Sequence, residues 1–197
     1  AEQLAQRRPD LRFVDGDSYP FFYAFDLGPA RFVSLDATTI GRLDAAQMGA
    51  LSSVFDGAGP ARIVLSHMPL WPFANGRETH IIGDPELEKL FENVGVDLHL
   101  SGHHHAFYPG HLDRVSVIAQ AELGGGSRPL IGTNKPRPKT ITLLDIAVDG
   151  TIRVSALQAP DFRTPVDIRT LPEYLKTPER VIRRIDTVPS GAVEIAD

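Results

Sequence analysis

The chain has no cysteine, one tryptophan and two methionines in 197 residues. Without thiols there can be no disulfides, thiolate metal sites or cysteine nucleophiles, and the redox compartment cannot be read. No apolar run approaches the ~18 to 20 residues that cross a bilayer, and Ala1-Glu2-Gln3-Leu4 has no signal-peptide pattern. The sequence opens without methionine, so export stays open and the compartment is not assigned. Excess positive charge is also lacking: 20 Lys and Arg against 25 Asp and Glu give a net −5. A surface that neutralises many phosphates of a nucleic acid is therefore not expected. Nor is there strong bias, since 42% hydrophobic and 23% charged residues suit an ordinary globular domain of this length.

What is present is concentrated in one stretch. Val96 to Gly110 holds four of the seven histidines: an apolar run reaches Ser101-Gly102, His103-His104-His105 follow, and Pro109-Gly110 closes the segment. That order reads as a buried strand delivering imidazoles into a turn. A metal held by two or three imidazoles needs further ligands, so the rest of the chain is judged by whether it brings them.

In chain order, Ala1 to Arg8 reads as the end of a helix stopped by Pro9, and Asp15-Gly16-Asp17-Ser18 as a turn. Strands are expected over 21–26 and 31–35, a helix capped by Asp44 over 44–55, and a strand over 61–66. Asp84-Pro85 opens the clearest helix, with Leu87, Leu90, Phe91 and Val94 on one face and Gly95 at its end, leading into a strand over 96–101. This alternation predicts parallel strands with helices over them, and ligands at the carboxyl ends of the strands, where His67, His103 and His105 fall. Strands over 115–119, 140–146 and 151–157, with a turn at Asp149-Gly150, suggest a second, mostly antiparallel part. After Gln158 proline and charge dominate, Ile182 and Ile185 giving only weak helical hints, and the stretch reads as a surface wrap or frayed end. A plainer reading, in which His103 and His105 are exposed loop residues whose positions two apart in a strand-like turn point the same way, is outweighed by the third histidine, His67, at another strand end.

These residues resemble the calcineurin-like metallophosphoesterases, in the branch of the purple acid phosphatases. Ser101 to Tyr108 looks like the family's Gly-His-x-His block, and Ile63 to Leu70, with His67-Met68-Pro69, like its earlier strand-His-x-Pro block. The likeness spans roughly Tyr19 to Ala156. It implies an α/β fold, the four-layer αββα sandwich of the metallo-dependent phosphatases, here missing its N-terminal strands. It also implies hydrolysis of phosphate mono- or diesters at a two-metal site of Fe, Mn or Zn. His67 and His103 would bind one ion and His105 the other, with His104 the variable position between them. Two such ions clamp a phosphoryl group and acidify a water to a pKa of about 7.

The family's upstream blocks, which carry the bridging carboxylate, are missing before Tyr19. Asp97-Leu98-His99 mimics one inside a strand, and Gly83-Asp84-Pro85-Glu86 is better read as a helix cap. The expectation is thus the C-terminal part of a metallophosphoesterase domain over 1–157 and a C-terminal extension over 158–197. Its expected partner is the missing N-terminal half, cleaved from the same precursor or carried by another chain, without which this chain is expected to be inactive and unstable or self-associating.

The loop Trp71 to His80 could overhang the site, with Arg77 binding substrate and His80 catalytic. Asp36 reads as a structural cap, Gly124-Gly125-Gly126-Ser127 as a tight turn near the site, Lys135 to Lys139 as a solvated basic loop, and His111 as remote. The competing class is a non-catalytic binding module of the same fold, lacking the carboxylate ligands. A nuclease is disfavoured by the acidic balance.

Overall fold

Alternating side chains shape the first ribbon in the computed structural model, which describes residues 8–187 and 192–196. Strands β1 (Arg12–Asp15), β2 (Tyr23–Leu27) and β3 (Ala30–Ser34) pair antiparallel, with Gly28 at φ 57 turning β2 into β3. Ala24 and Val33 face each other on the buried side. Phe25 and Phe32 stack on the other side at 5.1 Å, within a half-exposed aromatic row that includes Phe13 and Tyr23. The helix expected before Pro9 lies, Arg8 apart, outside the described residues.

Helix α1 (Ala45–Ser53) starts at Asp44, whose carboxylate accepts the Gln47 N–H at 2.8 Å. Strand β4 (Ala61–Ser66) follows, then helix α2 (Pro85–Asn93), capped by Asp84 through the Glu86 N–H at 3.0 Å and ended by Gly95 at φ 69. Its Leu87 and Phe91 are fully buried, roughly 2 kcal/mol of transfer free energy each. Next come β5 (Leu98–Ser101), β6 (Tyr108–His111) and β7 (Ser116–Ala119). The bounds agree with the expected elements to within two or three residues.

Strands β3, β4, β5 and β7 are parallel neighbours, as the alternation predicts. The register pairs Val33, Val64, His99 and Val117 across them. Phe91 of α2 meets the His99 ring at 5.3 Å, and Arg31 reaches Val54 O at 2.8 Å just beyond α1, so both helices lie on this face.

Strand 116–119 therefore belongs to the parallel sheet and not to the antiparallel part where it was expected. Strand β6 was hidden by its Pro-Gly pair. Pro109 pairs with Ile118 on one side, while the pairing on the other begins only at Gly110, so the missing N–H of proline deprives no partner there.

Strands β8 (Thr140–Ile146) and β9 (Ile152–Gln158) form a hairpin through Asp149-Gly150, Gly150 at φ 96. Their inward residues Ile152, Val154 and Ala156 join the core, and Thr142 Oγ1 donates to Gln120 Oε1 at 2.7 Å. Short β10 (Thr164–Pro165) completes one side of this second sheet.

The segment after it extends both sheets. Strands β11 (Tyr174–Lys176) and β12 (Val181–Arg184) pair onto β6, making nine strands, and β13 (Val193–Ile195) runs parallel to β9. Ile182 lies in a strand, not the helix hinted at, and Ile185 opens a short 3-10 turn. The period is two, Val181 and Arg183 exposed, Ile182 and Arg184 buried. It was masked because the buried Arg184 is satisfied by Leu171 O at 2.6 Å and Asp186 at 2.5 Å.

Candidate functional site

Strands β4 and β5 end in register at Ser66 and Ser101, and the Gly102 N–H donates to His67 O at 3.1 Å. This brings the residue after β4 beside the turn after β5, the place where α/β sheets gather ligands. The turn is not strand-like. His103 (φ 60) and His105 (φ 53) are left-handed, a strain of about 1–3 kcal/mol each, and the His104 N–H closes on Gly102 O at 2.6 Å. The three imidazoles consequently diverge, and His103 and His105 do not point the same way.

His104 turns inward and is buried. Its Nδ1 accepts the Phe73 N–H at 3.0 Å, so Nε2 carries the proton and donates to His80 O at 3.0 Å. Burial pushes its pKa down to about 4. Both ends of the loop 73–80 are thereby pinned by one ring. The loop is also held at Trp71, whose indole N–H donates to buried Glu88 of α2, while Arg180 reaches the same carboxylate at 3.0 Å and lies 4.9 Å from the Trp71 ring. His99 is likewise structural: Ser66 Oγ gives its proton to Met68 O at 2.6 Å, so His99 Nε2–H donates to Oγ at 2.7 Å. Burial lowers its pKa to about 4 as well.

His103 faces outward between two imidazoles. Its Nδ1 stands 3.1 Å from His67 Nε2, and its Nε2 stands 3.2 Å from His80 Nδ1. Burial first, then the neighbouring charges of His67, His80, Arg77 and Arg128, lower the His103 pKa and keep the ring neutral at neutral pH. Arg77 lies in the same loop, and its buried Nε has no acceptor among the described residues.

His105 points elsewhere, to the glycine turn. Its Nδ1 is 3.0 Å from Gly126 O, which fixes the proton on Nδ1 and leaves Nε2 a free donor atom for a metal. Gly125 lies so close that a Cβ there would stand 2.7 Å from His105 Cε1. Glu122 shapes this turn by accepting the Gly125 N–H at 2.9 Å and Ser127 Oγ–H at 2.7 Å. Lys139 is tied in too, 3.4 Å from Glu122, and so is not simply a solvated basic residue. Next along, Arg128 gives its N–H to His105 O at 3.1 Å and its Nη1–H to His103 O at 3.3 Å. The sequence reading missed Arg128, since an arginine after a glycine run carries no motif.

The donors fit part of a metal shell. Two nitrogens held by one tetrahedral ion at about 2.0–2.1 Å stand roughly 3.3 Å apart, close to the 3.1 Å between His67 and His103. Among the described residues, however, no group of three or more His, Asp or Glu side chains converges as a complete shell. Asp36 lies exposed two residues beyond β3, its N–H taken by Gln47 Oε1 at 2.9 Å, and His111 is 3.3 Å from Ser116 Oγ.

The sequence pattern of the calcineurin-like phosphoesterases matches residues 7–107, just over half of the chain. The chain belongs to the calcineurin-like phosphoesterase family. The match takes in His67, Arg77, His80, His103 and His105, and ends before Arg128. No curated protein matches the sequence significantly. Among solved structures the fold is that of the metallo-dependent phosphatases. A purple acid phosphatase from seeds of yellow lupin (Lupinus luteus) superposes with a TM-score of 0.59 at 18% identity, over 77% of this chain and 33% of that one. GAP50, the anchor in the inner membrane complex of Plasmodium, superposes with a TM-score of 0.53 at 14% identity, over 75% and 51%. The chain thus spans a third to a half of the length of these solved relatives. No helix among the described residues is long and apolar enough to cross a membrane.

Proposed function

We propose that the protein hydrolyses phosphate mono- or diesters at a two-metal site, of which this chain supplies the histidine half. The carrying observation is the 3.1 Å approach of His67 Nε2 and His103 Nδ1 at neighbouring strand ends of a calcineurin-like phosphoesterase fold. His67 and His103 would hold one ion and His105 the other, each an Fe, Mn or Zn ion. Bound metals supply positive charge for the phosphoryl oxygens and lower the pKa of a water to about 7.

The chain's own groups orient the rest. With Nδ1 turned to the ion, His103 keeps its proton on Nε2 and donates it to His80 Nδ1. His80 then carries its proton on Nε2, a hydrogen-bond donor for the leaving oxygen, and Arg77 binds an anionic oxygen of the substrate. The carboxylate ligands that two adjacent cations need come, in this reading, from the N-terminal half of the same domain, in this chain's precursor or in a partner. Alone the chain is inactive.

A second reading is a non-catalytic binding module of the same fold, favoured by the absence of a complete donor group among the described residues. One experiment separates them. The product of the full reading frame is assayed for bound metal and for hydrolysis of a generic aryl phosphate, alongside His67→Ala and His103→Ala. Loss of metal and at least tenfold loss of rate in both variants supports the hydrolase. Equal metal content in all three proteins rejects the ligand assignment, and metal without hydrolysis supports the module.

A further inference from the structure

Arg77 and Arg128 come from different loops that both close on His103, the first through the His80 ring at 3.2 Å and the second through Arg128 itself at 3.3 Å. The first lies between Ala74 and His80 in the loop pinned by His104, with its carbonyl accepting the His80 N–H at 2.9 Å. The second leaves the glycine turn and hangs on His103 O at 3.3 Å. Neither forms an ion pair with a carboxylate among the described residues, and Arg77 Nε is buried without an acceptor. The acid of the glycine turn, Glu122, is already engaged by Ser127, Gly125 and Lys139. Desolvation, followed by the charge of Arg77, depresses the pKa of Arg128, which agrees with two guanidinium groups held close together without a neutralising anion.

Such a pair is costly to assemble unless an anion completes it. A single phosphoryl group at a two-metal site is already matched by the ions, so two further unpaired cations exceed what it requires. We infer that Arg77 and Arg128 form a clamp for a second anionic group, so that the ester taken by this site carries two neighbouring anionic groups, as a diphosphate does. This rests on the phosphoester reading above but adds a residue, Arg128, and a substrate class. Planar guanidinium forks suit the paired oxygens of a phosphoryl or carboxylate group.

The test separates the clamp from the metal site by leaving metal out. The product of the full reading frame, with chelator present and at about 0.15 M ionic strength, is titrated with inorganic phosphate and with pyrophosphate in a calorimeter. The wild-type chain should bind pyrophosphate about tenfold more tightly than phosphate. Arg128→Gln and Arg77→Gln should each remove most of that preference, consistent with loss of a charge-assisted hydrogen bond. Arg163→Gln, remote on an exposed turn, should retain it. Equal affinity for the two anions in the wild type, no binding, or a full preference in either folded clamp variant overturns the inference. Because the two arginines sit on separate loops, a folding defect in one variant still leaves the other as the test. His67→Ala should fail the metal assay while leaving the His103 carbonyl that holds Arg128 in place, so failure of the metal reading and failure of the clamp give different results.

Discussion

Two sets of histidines lie around the carboxyl ends of β4 and β5 and behave in opposite ways. His99 and His104 are buried and held neutral by desolvation, His104 with both ring nitrogens bonded to fixed backbone partners and His99 with Nε2 bonded to Ser66. His67, His80 and His103 lie toward the open edge and have mostly one another for partners. The first set holds the backbone in place; the second is left poised for something the protein itself does not provide. An imidazole that has satisfied both nitrogens inside the fold has no lone pair to offer, and one facing another imidazole keeps it.

Removing a member of the first set should cost most. His104→Ala strips the Phe73 N–H and His80 O of partners and leaves a cavity, so a loss of about 3 kcal/mol in unfolding free energy is expected by denaturant titration. A loss below about 1 kcal/mol would dissolve the distinction. Acid should act on the same set. The folded pKa values of His99 and His104 are about 4, below the ordinary 6.5, so the unfolded chain takes up protons first. The stability these rings contribute is present above pH 6.5 and is lost as pH falls from there towards 4, by roughly 3 kcal/mol per ring at most. His99→Leu should flatten that slope, as read from unfolding midpoints across this range. The smallest effect belongs to the second set. His103→Gly relieves the left-handed backbone and should leave unfolding free energy unchanged or raised by about 0.5 kcal/mol, while abolishing metal uptake by the full protein.

Reading residues in order located the parallel strands and both capped helices because period, cap and stop agreed there, as at Asp84, Leu87, Phe91 and Gly95. It brought His67 to the His103 turn because parallel strands end on a common edge. It could not see that φ alternates through His103, His104 and His105, since histidine gives no sequence sign of a left-handed backbone. Strand β6 escaped because Pro109-Gly110 has turn chemistry, and strand β12 because its inward Arg184 looks polar until its partners are counted. Arg128 escaped because its role depends on a contact with His103 O across 25 positions of chain.

The shared carboxylate of Glu88 has a consequence in the order of synthesis. Trp71 and Arg180 converge on it, and Arg180 is made 92 residues after Glu88. At about 5–20 residues per second, that is a delay of roughly 5–20 s. The loop bearing Arg77 and His80 therefore emerges well before the last of its anchors, which arrives only when β11 and β12 close onto β6.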